Sequence, residues 1–308
     1  MNIEKYIKAI YKVVTNSDYR FLVLADQGFY DNMDDEAYLK CKYKACMGKE
    51  LNLDSPKTLN EKLQWLKLYD RKPEYTMMVD KYAVRKYIAD TIGEEYLIPL
   101  LGVWDNPDDI DFDALPNQFV LKCNHNSGLG MCICKDKSKL DIAKVKAELR
   151  KGLQQDYYLT GREWPYKNVK RRIIAEKYMT TLGIDDLPDY KIHCFNGEPK
   201  FILYCSERFS KTGTKEDFLD TNWSKLPFKR PDLKCSDKIL KKPSGLNKML
   251  ELAKILSTNI PFLRCDFYEI KGNIYFGELT FFPASGLEAF EPEEWDYKLG
   301  SWLKLPIK

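Results

Sequence analysis

Three features of this sequence predict an α+β fold. Helical and strand-like segments are mixed along the 308 residues, more than one strand pair is joined by a hairpin turn, and no internal repeat is present. The regular strand–helix–strand alternation of a doubly wound parallel sheet is missing.

The elements follow in order. Ile3, Ile7, Ile10 and Val14 share one face of a helix over 3–14, with lysines between them. Such a basic amphipathic helix packs on the protein body or lies on an acidic membrane, and packing is the expectation. Thr58 with Glu61 forms a capping box that opens a helix carrying Leu63, Leu66 and Leu68. Residues 1–75 therefore read as a helical region, followed by a helix over 76–92 with Asp80, Lys81 and Arg85. Phe119–Cys123 reads as a buried strand, then a Gly/Ser/Asn loop and a second strand at 131–134. Residues 173–179 are an apolar run of strand length. Residues 190–195 and 200–205 flank Asn196-Gly197, a hairpin signal because this dipeptide accepts positive φ. A helix from Ser244 or Gly245 to Ser257 precedes the last hairpin, Phe262–Ile270 and Ile274–Phe282.

Composition narrows the function. Forty-nine Lys+Arg balance 46 Asp+Glu, which argues against nucleic-acid binding by a concentrated basic face. The longest apolar runs fall short of the ~20 residues of a spanning helix, and the first residues lack the pattern of a secretory signal. Nine scattered cysteines read as reduced thiols. Cys41/Cys46 and Cys132/Cys134 lack partner pairs at zinc spacing. A cytoplasmic protein is the expectation.

The last hairpin carries the most chemistry. With a three-residue turn Lys271-Gly272-Asn273, Asp266 stands opposite Glu278 and Arg264 opposite Thr280, all on one face. Two facing carboxylates in apolar surroundings repel and require a positive partner. A hard divalent cation fits, with Arg264 beside it to hold a phosphate or carboxylate; the alternative is an Arg–carboxylate network. On the metal reading, Asp266→Asn or Glu278→Gln should leave the fold intact or slightly steadier. Lys122 ends a strand before Asn126-Ser127-Gly128-x-Gly130, a glycine loop suited to phosphates but equally to a plain turn. His125 reads as a base or a loop residue. Lys81 and Arg85 form a solvated helix face by default. Lys167-Asn-Val-Lys170-Arg171-Arg172, after Gly161-Arg162-Glu163-Trp164-Pro165-Tyr166, reads either as a clamp for an anionic sugar or as an ordinary loop.

In this order the motifs resemble the ATP-grasp superfamily and are similar to D-alanine–D-alanine ligases, whose hairpin usually reads Arg-x-Asp … Glu-x-Asn. Thr280 stands where that Asn is common. The phrases Asp80-Lys-Tyr-Ala-Val-Arg85, Phe119-Val-Leu-Lys-Cys-Asn-His125, Gly161-Arg-Glu-Trp-Pro-Tyr-Lys167, Asp189-Tyr-Lys-Ile-His-Cys-Phe-Asn-Gly197, Phe276-Gly-Glu-Leu-Thr-Phe-Phe-Pro283 and Pro292-Glu-Glu-Trp-Asp-Tyr297 resemble the teichuronopeptide-biosynthesis branch, found in bacterial surface-polysaccharide clusters.

The resemblance implies two α+β lobes gripping ATP: a small lobe over 76–176 with the glycine loop, and a large lobe over 177–308 with the metal hairpin. It implies an ATP- and Mg²⁺- (or Mn²⁺-) dependent carboxylate–amine ligase working through an acyl-phosphate. Lys81, Lys122, Ser127, Gly128, Gly130, Glu176, Lys177, Tyr178 and Asp189 would bind ATP, with a further γ-phosphate cation from the segment Arg208 to Lys215. Asp266, Glu278 and Thr280 would hold metal, and Arg264, Ser285 and Gly286 would act on the acyl-phosphate. His125, Arg162, Lys170 and Arg171 are candidate substrate contacts. The implied partners are an amine or amino acid and a uronic-acid glycan or its precursor, with peripheral contact to membrane-associated polysaccharide machinery. The competing readings are a nucleotide-sugar glycosyltransferase, with Asp109-Ile-Asp111-Phe-Asp113 as its metal motif, and a polysaccharide-binding module using Trp164 and Tyr166.

Overall fold

The computed structural model describes residues 11–180, 187–207 and 213–307. Most of the expected N-terminal helix and most of the segment Arg208 to Lys215 lie outside the described residues. The chain opens with helices α1 (Ser17–Asp26), α2 (Asp35–Met47) and α3 (Leu59–Tyr69). The capping box forms as expected. Thr58 Oγ1 accepts from the Glu61 N–H at 3.1 Å, and the Glu61 carboxylate accepts from the Thr58 N–H at 3.0 Å.

The expected helix over 76–92 is two helices, α4 (Glu74–Val79) and α5 (Val84–Thr91). Asp80 breaks it. Its carboxylate accepts from the backbone N–H groups of Tyr82 and Ala83 and from the Asn124 amide, a local alternative to helical bonding. Lys81 therefore sits in a turn, its own N–H donated to Asn124 O.

The smaller sheet is four-stranded and antiparallel, in the order β1 (Leu100–Trp104), β4 (Ile173–Lys177), β2 (Phe119–Cys123), β3 (Met131–Cys134). Alternation along β2 divides its faces. Phe119 and Leu121 pack with Ile173, Ala175 and with Val145 and Leu149 of helix α6 (Ile142–Gln154). Val120 and Lys122 are left on the other face. The short helix α7 (Tyr157–Gly161) follows α6.

The larger sheet has five antiparallel strands in the order β7-β6-β5-β8-β9: β5 (Asp189–Phe195), β6 (Glu198–Ser206), β7 (Lys215–Asp220), β8 (Phe262–Ile270) and β9 (Asn273–Thr280). The Asn196-Gly197 turn forms as expected, both residues at positive φ with Phe195 opposite Glu198. Helix α8 (Leu246–Leu256) covers one face. Helix α9 (Glu294–Trp302) lies against α3. Residues of α2 to α5 share one apolar core with the larger sheet. Among the described residues no helix is long and apolar enough to cross a membrane.

The last hairpin reaches the expected register by a different route. Its turn has two residues, Lys271 and Gly272, both at positive φ, with Ile270 opposite Asn273. Such a turn alone would put Glu278 on the wrong face. A bulge at Gly277 adds the missing residue, so Phe267 faces Phe276 while Asp266 faces Glu278 and Arg264 faces Thr280. A Cβ at Gly277 would lie 3.1 Å from both Asp266 O and Tyr268 Cε2, so glycine fits the bulge.

Candidate active site

The two sheets border a cleft of about 320 Å³. Its smaller-sheet wall follows from register: Val120 pairs with Ile133 and Glu176, and Lys122 with Met131, placing all five on the face away from α6. Its larger-sheet wall is a cross-strand row, Lys191 beside Asp266 beside Glu278, joined by Asp189 two residues before Lys191. Lys81, Ser127 and Gly128 close one end, and Lys177, Tyr178, Met179 and Leu187 another stretch of the rim.

The charges are tightly paired. Lys122 Nζ lies 2.6 Å from Glu176 Oε2, and Arg85 Nη1 lies 3.5 Å from Glu176 Oε1. Lys81 Nζ donates to Asn126 O at 2.6 Å, tying the turn to the glycine loop. Arg264 takes Asp266 in a two-pronged bond, Nε and Nη2 each at 2.7 Å, and Nη2 also donates to Glu278 Oε1 at 2.8 Å. Lys191 Nζ lies 2.6 Å from Asp266 and 3.3 Å from Asp189. Burial alone would raise the Asp266 pKa; Arg264 and Lys191 more than offset it and hold the carboxyl below its usual range. Glu278 is likewise lowered, burial and Asp266 opposed by Lys81 and Arg264. Its side chain keeps 37% of its surface, so the cleft still reaches it.

The positive charge required between the two carboxylates is thus Arg264 in this state. Removing Asp266 would leave this guanidinium only its bond to Glu278, so Asp266→Asn is now expected to destabilise the fold rather than steady it. Among the described residues no group of three His, Cys, Asp or Glu side chains is placed to hold a metal. Mg²⁺, however, takes one or two carboxylates and fills its sphere with water and phosphate oxygens. Asp266 and Glu278 on one wall suit that cation when it arrives with phosphates. Thr280 Oγ1 lies 3.3 Å from Glu278 Oε1, donating to it. Apolar Ile98, Val120, Ile133 and Met179 share the cleft with Lys81, Lys122 and Lys191, a lining that offers apolar surface to a base and cations to anionic groups.

The cleft collects Lys81, Lys122, Ser127, Gly128, Glu176, Lys177, Tyr178, Asp189, Asp266 and Glu278. Gly130 stands behind it: at φ +70°, an added Cβ would lie 2.8 Å from Cys123 Sγ and 2.9 Å from Gly152 Cα, so it brings the loop against α6. The four candidate substrate contacts are placed elsewhere. His125 is buried with Nε2 3.1 Å from Gln155 O. Arg162 donates to the carbonyls of Tyr30, Asp31 and Met33, pinning the N-terminal helices. Lys170 pairs with Asp105 at 2.9 Å, and Arg171 donates to Leu153 O and Gln154 O. Each of these side chains is bonded to the scaffold.

Two groups of residues went unread in the sequence. Lys191 was findable, since it alternates with Asp189 on a strand. Lys67, Gln64 and Glu163 had no local signal: they meet Ser285 and Gly286 only through the tertiary fold. Lys67 Nζ donates to Ser285 O and Gln64 Nε2 to Gly286 O.

Among solved structures, the chain is similar to the D-alanine–D-alanine ligase of Bacillus anthracis complexed with ATP (16% identity, TM-score 0.38, covering 67% of this chain and 54% of that one). It is also similar to the Helicobacter pylori D-alanine–D-alanine ligase (17%, TM-score 0.42, 80% and 69%) and to the ATP-grasp ligase PsnB complexed with minimal precursor, Mg and ADP (11%, TM-score 0.36, 83% and 65%). It spans about half the length of the first of these. No curated protein matches. The sequence model of the family described as TupA-like ATPgrasp matches residues 61–304, four-fifths of the chain and both sheets of the cleft, and this protein belongs to that family.

Proposed function

We propose that this protein is an ATP- and Mg²⁺-dependent carboxylate–amine ligase that activates an acid as its acyl-phosphate and joins it to an amine. The reading rests on membership of an ATP-grasp family and, above all, on one observation: Asp266 and Glu278, both bonded to Arg264, stand side by side on one wall of a cleft that also contains Lys81 and Lys122. Phosphoryl transfer depends mainly on positioning and charge neutralisation, and this lining supplies both without a nucleophilic side chain.

ATP supplies the phosphoryl group and Mg²⁺ the neutralising charge when bound. Lys122 and Lys81 hold phosphate oxygens; Lys177 and Tyr178 border the adenine; Asp189 takes the ribose; Gly128 lets the loop backbone approach. Asp266 and Glu278, with Thr280, hold the cation. Arg264 exchanges part of its pairing for the acid's oxygens, and Ser285 and Gly286 orient the activated carbonyl. The chain divides into the helical region 1–75, the small lobe 76–176 and the large lobe 177–308. The family branch favours a uronic acid of a surface polysaccharide or its precursor as the acid, and an amino acid as the amine, within the cytoplasm or at its membrane face.

The glycosyltransferase reading gains nothing from its acidic motif. Asp111 caps the backbone of Asp113 and Ala114, and none of Asp109, Asp111 and Asp113 lines the cleft. Incubation with ATP, Mg²⁺ and a matrix of uronic acids and amino acids should release ADP and phosphate. ATP should also raise the melting temperature only with Mg²⁺ or Mn²⁺ present, a stabilisation of ~2.7 kcal/mol at a hundredfold excess over Kd. A shift with uridine diphosphate sugars and none with ATP overturns the ligase reading.

A further inference from the structure

Helix α3 presents three polar side chains on one face, Asn60, Gln64 and Lys67, and none of them is exposed beyond 1%. All three bind the loop that follows the last hairpin. Asn60 exchanges two hydrogen bonds with the backbone of Glu288. Gln64 Nε2 donates to Ser285 O at 3.0 Å and Gly286 O at 2.6 Å. Lys67 Nζ donates to Gly161 O at 2.7 Å, Ser285 O at 2.8 Å and Ser285 Oγ at 2.9 Å. A helix that buries this much polarity on one loop holds that loop's geometry at a desolvation cost.

The geometry fixes the protons. Three acceptors surround Lys67 Nζ, which matches the three donors of an ammonium. The Ser285 oxygen accepts one of them, so its own hydrogen is free to point elsewhere, and the Glu163 carboxylate is its neighbour there, Glu163 Oε1 and Ser285 Oγ both lying against Gly161. Ala284 and Ser285 both hold positive φ, 44° and 57°, a conformation of non-glycine residues that persists where surrounding bonds impose it. Gly161 makes the room: a methyl there would collide with Ser285 Oγ and lie 3.3 Å from Glu163 Oε1.

This chain adjoins the cleft. Tyr157 neighbours Ser127 of the glycine loop and packs edge-on against Tyr166 at 4.8 Å. Both tyrosines feel the charges of Glu163, Glu278 and Arg264. Besides Lys67 on α3, Glu163 faces Lys42 on α2 and Arg264 on β8. Ser285 is half-buried, whereas Lys67 and Glu163 are buried, so Ser285 is the least buried residue of the set.

We propose that Ser285 and Glu163 form a proton relay that receives the proton of the acceptor amine, with Lys67 as the positioning residue that orients the Ser285 hydroxyl. The proposal rests on the ligase reading. An amine arrives as an ammonium and must lose a proton before it attacks. Its N–H proton passes to Ser285 Oγ as the Ser285 proton passes to Glu163, which becomes a neutral carboxyl. The freed lone pair forms the C–N bond, the acyl C–O bond breaks with its electrons leaving on phosphate, and the second N–H proton departs with that phosphate, leaving a neutral amide and hydrogen phosphate. Lys67 Nζ keeps its bond to Oγ and stabilises the partial negative charge there. Burial raises the Glu163 pKa despite Lys67 and Ser285, which suits a group that must accept a proton near neutral pH.

Two measurements decide it. In the first, the wild type, E163Q and K67M are treated with phenylmethylsulfonyl fluoride, and modification of the Ser285 peptide is followed by mass spectrometry. A hydroxyl beside a working acceptor is activated, so the wild type should be labelled at least about tenfold faster than E163Q. An unlabelled Ser285, or equal rates in the two, overturns the relay whatever the substrates are. In the second, ADP release is compared for an amino-acid acceptor and for hydroxylamine, which is largely unprotonated at neutral pH. E163Q and S285A should lose about 10²-fold in kcat with the amino acid and only a few-fold with hydroxylamine. Equal losses with both acceptors would assign Glu163 to the scaffold and overturn the proposal. A wild type that releases no ADP with any acid overturns the ligase reading instead, leaving the labelling result to decide the relay.

Discussion

Arg264 and Lys67 are both buried cations beside the last hairpin, yet they are neutralised in opposite ways. Arg264 bonds directly to two carboxylates, Asp266 at 2.7 Å and Glu278 at 2.8 Å. Lys67 touches neutral oxygens alone, those of Gly161 and Ser285, and reaches a carboxylate only across a hydroxyl. Direct pairing makes Arg264 more basic than usual, whereas burial pulls Lys67 down to about 7 despite Glu163. The difference marks two kinds of site. The hairpin cluster is a set of charges held ready to be re-paired by an anionic ligand and its cation. The α3 cluster is held near the point of proton exchange.

The sharpest way to break this contrast is to remove Asp266. Asp266→Asn removes the carboxylate that Arg264 and Lys191 share, leaving them Glu278 and Asp189, and breaking a buried pair costs about 3–5 kcal/mol. Urea denaturation without metal should therefore show a large loss, and ADP release should fall at least ~10²-fold. A variant as stable as the wild type would mean that Arg264 relaxes into solvent and that the cluster is not dry.

The same contrast explains what the sequence could disclose. Arg264, Asp266, Glu278 and Thr280 lie on two strands joined by a short turn, so period-2 alternation is enough to set them face to face. Even there the path was misread, because a two-residue turn and the bulge at Gly277 together give the register expected of a three-residue turn. Lys122 and the glycine loop were legible for the same local reason. Lys67, Glu163 and Ser285 come from three remote segments. On α3, Lys67 reads as a solvent-facing residue next to Leu66 and Leu68, and nothing within one helix announces that its face is covered by residues 161 and 285. Arg162 was misassigned for the converse reason: a basic residue amid aromatics reads as a ligand clamp, but its guanidinium is stacked 4.4 Å from the Tyr38 ring and bonded to carbonyls.

Lys67→Met probes the second cluster and should have a smaller effect. It leaves the Gly161 carbonyl without the Lys67 donor and the Ser285 carbonyl with Gln64 alone, at about 1–3 kcal/mol, and at the same time removes a buried charge whose desolvation opposes folding. The sign of its pH dependence is the more telling readout. The folded-state pKa of Lys67 lies near 7, below the ordinary 10.5, so between those values the unfolded chain binds more protons. Stability due to Lys67 therefore rises with pH across that window. Asp266 has the same sign in a lower window: its folded pKa is depressed, so its contribution is present above the unfolded value and disappears as pH falls through the folded one. The wild type minus Lys67→Met difference in unfolding free energy should climb from pH 7 to pH 10. A flat difference would place Lys67 among ordinary ion-paired lysines.

Glu278→Gln should have the smallest effect on stability and so separates holding the fold from doing the chemistry. Glu278 keeps 37% of its side chain exposed, and Arg264 retains both bonds to Asp266 when one bond to Glu278 is weakened to a neutral acceptor. An amide in the same place still accepts from Arg264 and relieves the repulsion that Asp266 exerts on Glu278. These terms nearly cancel, and the expected change is under ~1 kcal/mol, the range of partly exposed pairs. Activity should respond differently, because a carboxamide is a poor ligand for Mg²⁺, a hard cation that favours carboxylates and phosphate oxygens. ADP release should drop at least ~10²-fold, and the Mg²⁺-dependent stabilisation by ATP should shrink while the metal-free melting temperature stays within a few degrees. If Glu278→Gln unfolds the protein but the surviving molecules keep full turnover, the hairpin carboxylates are an ion-pair network and the cation is held elsewhere.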